Sequence, residues 1–322
     1  MSKTASPVGA GAPGVVVLAA GHGKRMKSPL PKVLTPLAGK PILHHILDRV
    51  QAALPDSPIL VVVGHGKEEV MRSVKGTARF SQVEFVDQGD PRGTGHAVQV
   101  AMASPWGVAQ TRSRRPVMVL PGDLPLVRDS MISDLSKPLG RSDALRLLTT
   151  ELTDPTGYGR VVRKGKGGPV QKIVEERDAD ARQKSIREVA CSIYLFDGAF
   201  LQKGLGQLDT KNSQGEFYLT DLVSIARKQR RNVNVLCWAE EEDLRGINDP
   251  WELALASKIF NRRVLKRLAL DGVRFQNPDD TWVEETVRMA EGVEVGTGCV
   301  LAGTTVIARG AKLGPSVMLT DV

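Results

Sequence analysis

Four short, largely apolar runs limit what this chain can become. They are Val15–Ala20 (VVVLAA), Ile59–Val63 (ILVVV), Val83–Val86 (VEFV) and Val117–Leu120 (VMVL). A strand with one wet face alternates apolar and polar residues, whereas a run that is apolar on both sides must be covered on both. Between these runs the apolar residues recur at helical spacing, over Ile42–Ala53, Lys67–Lys75 and Thr94–Ala103. Strand-like runs alternating with helices predict an α/β domain with a doubly wound, largely parallel sheet. Leu145–Leu152 extends that sheet.

The rhythm changes after residue 155. Gly159–Val174 (GRVVRKGKGGPVQKIV) reads as two strand arms around a glycine-rich turn. Ile193–Phe196 and Val233–Trp238 read as strands and Leu219–Gln229 as a helix. Asp249 followed by Pro250 is an N-cap with proline at the first helical position, opening a helix to about Leu270 that Gly272 ends. Then Val295, Leu301, Ile307, Leu313 and Leu319 recur at every sixth position, and small residues come directly after the first four: Gly296, Ala302, Ala308 and Gly314. That is the mark of a hexapeptide β-helix. Counted from Val295, the repeats build little more than one coil.

Composition narrows the function. The chain has 322 residues, 41% hydrophobic and 25% charged, enough for two domains of a globular protein. No apolar stretch is long enough to span a bilayer, and the opening MSKTASPVGAGAPG has no secretory core; a disordered leader is expected over 1–13. Cys191, Cys237 and Cys299 are far apart and odd in number, which fits a reducing cytoplasm. The net charge of +8 suits polyanions, but aromatics make up only 4% and no stacking motif occurs, so nucleic acid is not expected as a partner. The basic run Arg227–Arg231 (RKQRR) reads as a helix end, where cations suit the dipole.

Directly after the first strand comes Gly21-His22-Gly23. Backbone N–H groups in such a loop can cradle phosphate oxygens, because glycine lets the main chain approach closely. A Rossmann fingerprint needs a third glycine where Met26 stands, and no Walker GK[ST] is present. The loop is a phosphate binder of another design, with Arg25 and Lys32 as its fixed cations and Pro31 stiffening the approach to Lys32. Asp123, in PGDLP at the end of an apolar strand, is placed to hold a metal against phosphate oxygens.

These residues carry a resemblance. The stretch LAAGHGKRMKSPLPKVLTPLAGKPILHHIL is similar to the signature of the sugar-1-phosphate nucleotidylyltransferases. QGDPRGTGHAV, VLPGDLPLV, GYGRVV, KIVEERDA, QGEFYLTDL and GINDPWEL succeed it in the family's order. Within that family the chain resembles the N-acetylglucosamine-1-phosphate uridylyltransferase half of bacterial bifunctional enzymes, over about residues 14–322. The resemblance implies a Rossmann-like doubly wound mixed sheet and then the start of a left-handed β-helix. It implies a nucleotidyltransferase domain over 14–249, a linker helix over 250–271 and a truncated β-helix over 272–322. It further implies transfer of the uridylyl group of UTP to N-acetylglucosamine-1-phosphate, for cell-wall precursors, in the cytoplasm.

The resemblance also implies residue roles. Arg25 and Lys32 are catalytic. Leu18, Ala19, Ala20, Gly21, Gly23 and Gly122 bind the nucleotide, and Gln88 with Gly93 and Thr94 reads the uracil. Gly159 and Glu175 contact the sugar, and Asp123 and Asn248 hold Mg²⁺. Two positions depart from the pattern: Ala190 stands where an asparagine contacts the sugar, and Pro121 where a tyrosine is common. Alternative readings are therefore another sugar-1-phosphate as acceptor, or a nucleotide-binding regulatory protein. With so short a β-helix, no acetyltransferase activity is expected and homo-oligomerisation is weakened.

Overall fold

The computed structural model describes residues 11–322, so the first ten residues of the expected leader lie outside the described residues. The core is a sheet built on β1 (Gly14–Leu18), which lies parallel to β4 (Ile59–Val63) on one side and β6 (Val117–Pro121) on the other. Between β1 and β4 runs a small ribbon, β2 (Pro36–Leu37) with β3 (Lys40–Pro41). Outside β4 lies β5 (Glu84–Asp87), also parallel. The far side holds β7 (Asp143–Glu151), β10 (Glu188–Phe196) and β11 (Asn232–Cys237), giving the order β11-β7-β10-β6-β1-β4-β5. The hairpin β8 (Gly159–Arg163) and β9 (Val170–Val174) branches off β10. β10 runs antiparallel to both β6 and β7, so the sheet is mixed.

The alternation of β1 shows why two helical layers form. Val15 and Val17 enter one apolar cluster and Val16 the other, each with no exposed surface. The first layer is α1 (Ile42–Ala53), α2 (Lys67–Lys75) and, after β6, α5 (Asp129–Leu135). The second layer begins with α3 (Thr94–Ala103) and α4 (Pro105–Arg112). The short α6 (Ala181–Lys184) precedes β10, and α7 (Gly198–Leu205) and α8 (Asp221–Lys228) complete the second layer. All four sequence runs become strands, and the three expected helices form with the expected limits. Arg227 and Lys228 fall in the last turn of α8, but Arg231 turns inward, 2.9 Å from Asp197 and over the Phe200 ring.

α9 (Pro250–Leu270) carries the chain off the sheet. Its start is the expected cap: the Asp249 carboxylate accepts from the Glu252 N–H at 2.8 Å. Its end is the expected glycine: Gly272 takes φ +95°, and Val273 N–H donates to the Leu268 carbonyl at 3.0 Å. The helix is pinned to the domain by Asp243, a carboxylate with no exposed surface. Asp243 receives Arg128 Nε at 2.6 Å, Trp238 Nε1 at 2.8 Å and the Arg263 guanidinium of α9.

The hexads form a three-faced parallel coil. Trp282 pairs with Val300 and Val300 with Met318 on one face; Arg288 pairs with Val306 on a second; Glu294 pairs with Lys312 on the third. The coil starts earlier than the count from Val295: Val283 and Met289 hold the same phase, and strand pairing begins at Arg274. A second inward position, two residues before each aliphatic, holds Thr281, Val287, Val293, Cys299 and Thr305, all buried. It hides in the sequence because threonine and cysteine share it with valine. The first coil meets the sheet domain through Glu285, 3.0 Å from Lys40 Nζ and 2.9 Å from Arg49 Nη2.

Candidate active site

The carboxyl ends of β1 and β6 open into a cleft of about 440 Å³, where open α/β sheets bind ligands. Leu18, Ala19, Ala20 and Gly21 line its floor as β1 runs out. Gly122 lies under that floor. Its N–H donates to the Leu18 carbonyl at 2.7 Å, and a Cβ there would stand 2.7 Å from the same oxygen, so only glycine lets the two strand ends close up.

The glycine-rich loop after β1 is shaped by another such approach. Gly23 adopts φ +59°, and a Cβ on it would sit 2.6 Å from the Lys32 Cβ. The loop thus lies on the Lys32 stem. Met26 plugs the core, while Lys24, Arg25 and Lys27 are exposed with no carboxylate partner among the described residues. Arg25 lies on the loop outside the cleft lining, and so does Gly23.

Lys32 comes after Pro31 in a short 3₁₀ turn and reaches the cleft with its side chain 11% exposed. Its ammonium lies 2.5 Å from Asp123 Oδ2 and 3.3 Å from Asn248 Oδ1. Asn248 does not line the cleft itself; Ile247 N–H donates to the Asp123 carbonyl at 3.0 Å and carries Asn248 to that point. A carboxylate and an amide oxygen therefore converge on one cation. That donor set fits a hard divalent cation, and the ammonium marks where positive charge is wanted.

The second wall is a loop and helix start. Gln88 is buried, its side-chain amide donating to the Gly93 carbonyl at 3.2 Å, beside His96. Gly93 takes φ +98° and presses on residue 217, where a Cβ would meet the Phe217 carbonyl at 2.6 Å. Thr94 opens α3 and accepts from Leu219 N–H at 3.3 Å.

The third wall is the hairpin with β10. Gly159 lies opposite Ala190 in register, and a Cβ on it would crowd Ile173 at 2.8 Å and Glu175 Oε2 at 3.4 Å. Burial pushes the Glu175 carboxyl above the ordinary range, against a hydrogen bond from Thr220 Oγ1 at 2.8 Å. The neighbouring Glu176 turns away, to the buried Arg160 at 2.7 Å and the Gly157 N–H. The paired glutamates thus divide: one faces the cleft and one holds the hairpin. Tyr158, Cys191 and Ser192 also line the cleft, and sequence reasoning missed all three. Gly157 and Gly159 were the only signal for Tyr158; for Ser192 there was none, since its exposure results from a register break in β10.

Comparison with known proteins places this geometry. Residues 15–165 match the model of the MobA-like NTP transferase domain. The bifunctional protein GlmU of Kineococcus radiotolerans is 40% identical over 310 residues, covering 96% of this chain and 61% of that one. GlmU of Streptomyces avermitilis is 38% identical over 312 residues (95% and 62%), and that of Stenotrophomonas maltophilia 37% over 308 (96% and 65%). The chain is similar to these bifunctional GlmU proteins. It spans roughly three fifths of the length of the relatives it matches, from 61% to 65%. The two departures from the resemblance both line the cleft: Pro121 pairs with Leu18 at the end of β6, and Ala190, 5% exposed, lies opposite Gly159.

Proposed function

We propose that this chain transfers the uridylyl group of UTP to N-acetylglucosamine-1-phosphate, giving UDP-N-acetylglucosamine and pyrophosphate for cell-wall precursors. The observation that carries the reading is the Lys32 ammonium held between Asp123 and Asn248 at the strand ends, with Gly21 on one side and Glu175 on the other.

An acceptor phosphate oxygen forms a bond to the α-phosphorus, and the bond to the bridging oxygen breaks with its electron pair leaving on pyrophosphate. The acceptor is already ionised at neutral pH, so no strong base is needed, and placement with charge neutralisation does the work. Arg25, exposed on the loop beside the cleft and with no carboxylate partner among the described residues, would stabilise the triphosphate. Lys32 neutralises charge at the α-phosphate. Gln88 offers an amide edge to the base, and Glu175 accepts or shares a proton with a sugar hydroxyl. Mg²⁺ on Asp123 and Asn248 would supply further neutralisation of the phosphate oxygens. The free thiols of Cys191, Cys237 and Cys299 suit a reducing cytoplasm.

A second reading rests on Ala190: with no amide at that point, another hexose 1-phosphate is the acceptor. Pyrophosphate release from UTP, measured across a panel of sugar 1-phosphates with Mg²⁺, separates the two. Turnover fastest with N-acetylglucosamine-1-phosphate supports the first; preference for another sugar supports the second. UTP binding without turnover on any acceptor overturns both.

A further inference from the structure

We infer that Ser192 is the residue that reads the acceptor, in place of the amide that Ala190 lacks; this rests on the transfer reading above. Ser192 stands in the interruption of β10, where the register slips between Ala190 and Tyr194. Ala190 is opposite Gly159, and Tyr194 is opposite Val119 on β6. The interruption therefore lies between the Glu175 wall and the end of β6, where Pro121 and Asp123 line the cleft.

Two properties set Ser192 apart. Its φ is +57°, left-handed backbone that costs an L-residue and favours glycine. The other left-handed positions lining this cleft are glycine: Gly93 at +98° and Gly157 at +85°. The remaining non-glycine residues with positive φ, among them Lys27, Ala38 and Arg230, do not line it. Its side chain is also exposed to the cleft, and its hydroxyl makes no hydrogen bond within the described chain. Strain that the backbone could relieve with glycine is thus kept where a free hydroxyl faces the ligand. Its neighbours along β10, Ala190 and Cys191, offer no amide or hydroxyl, so on that strand the Ser192 hydroxyl is the polar side chain offered to the cleft, facing a lining that also holds Tyr158 and Glu175. A hydroxyl both donates and accepts, which suits a sugar hydroxyl or a ring substituent with an amide oxygen.

The test compares Ser192→Ala and Ser192→Gly with the wild type in steady-state kinetics. Both variants should raise the KM of the sugar 1-phosphate about tenfold, the worth of one neutral hydrogen bond. The KM of UTP and the rate at saturating acceptor should stay within about twofold. Ser192→Gly should also raise Tm by about 1–2 °C through relief of the left-handed strain, and Ser192→Ala should not. An unchanged acceptor KM in either variant, or an equal rise in both substrate KM values, overturns the inference. If the wild type turns over no acceptor, the transfer reading falls. Calorimetric binding of N-acetylglucosamine-1-phosphate in the presence of UTP then decides Ser192: tenfold weaker binding by Ser192→Ala supports it, and equal or absent binding overturns it.

Discussion

At the residue scale the account turns on Lys32. Its ammonium is paired with Asp123 in a partly exposed site, so the pair contributes little to folding, about 1 kcal/mol or less. Its proposed work is on the transition state, where losing a positioned charge costs about 10²–10³ in rate. Lys32→Ala should therefore lower kcat by that factor with Tm moved by no more than a few degrees; a rate within threefold of wild type removes Lys32 from the chemistry. The glycine-rich turn after β1 was legible from its residues, but its packing of Gly23 on the Lys32 stem was not, since that contact joins two separate turns. The role of Gly122 was less visible: the motif placed it beside the nucleotide, and the structure shows it first as the contact closing β6 onto β1. Ser192 was not legible, because its exposure depends on a register slip of β10 against β7 that no local pattern encodes.

At the scale of the element, α1 makes stability depend on pH. His44 is held down to about 4 by burial, then by Arg79, with Asp48 opposing; His45 beside it is also lowered, first by burial. Both are neutral when folded and titrate near 6.5 when unfolded. Between pH 6.5 and 4 the unfolded chain binds more protons, so the stability that His44 contributes is fully present above 6.5 and lost as pH falls, by about 3 kcal/mol. Urea midpoints between pH 7.5 and 4.5 should fall, and His44→Gln should flatten that slope; a slope unchanged by the substitution contradicts the assignment. The histidines sit so because Ile42, Ile46 and Val50 share the buried face with them, and α1 packs beside α5 in the same layer. The helix itself was legible from that spacing. The β-helix was legible only in part: its aliphatic row gave the period, while the second inward row mixes Val293 with Cys299 and Thr305 and so carries no single chemical signal.

Across the whole molecule, two acidic side chains join the sheet domain to α9 and the β-helix. Asp243 holds Arg128 and Arg263 across the base of α9, and Glu285 gathers Lys40 and Arg49 from the ribbon and α1. Asp243 is buried but its two arginines reach water, so Asp243→Asn should cost about 1–3 kcal/mol. It should also make cleavage of α9 by trypsin faster than in the wild type; unchanged denaturation and proteolysis would mean the two arginines find other partners. Neither acid was predictable, since each takes its meaning from residues far away in sequence. The order of motifs, from the loop through Asp123 to the helix cap at Asp249, was legible at this scale, and it keeps Lys32, Asp123 and Asn248 together at one sheet edge. The central claim is that this edge performs uridylyl transfer. Pyrophosphate release from UTP and N-acetylglucosamine-1-phosphate, with and without Mg²⁺, measures it directly. The account predicts release that requires both substrates and Mg²⁺, with UDP-N-acetylglucosamine formed in equal amount. Folded protein that binds UTP and yet releases no pyrophosphate with any sugar 1-phosphate would contradict it.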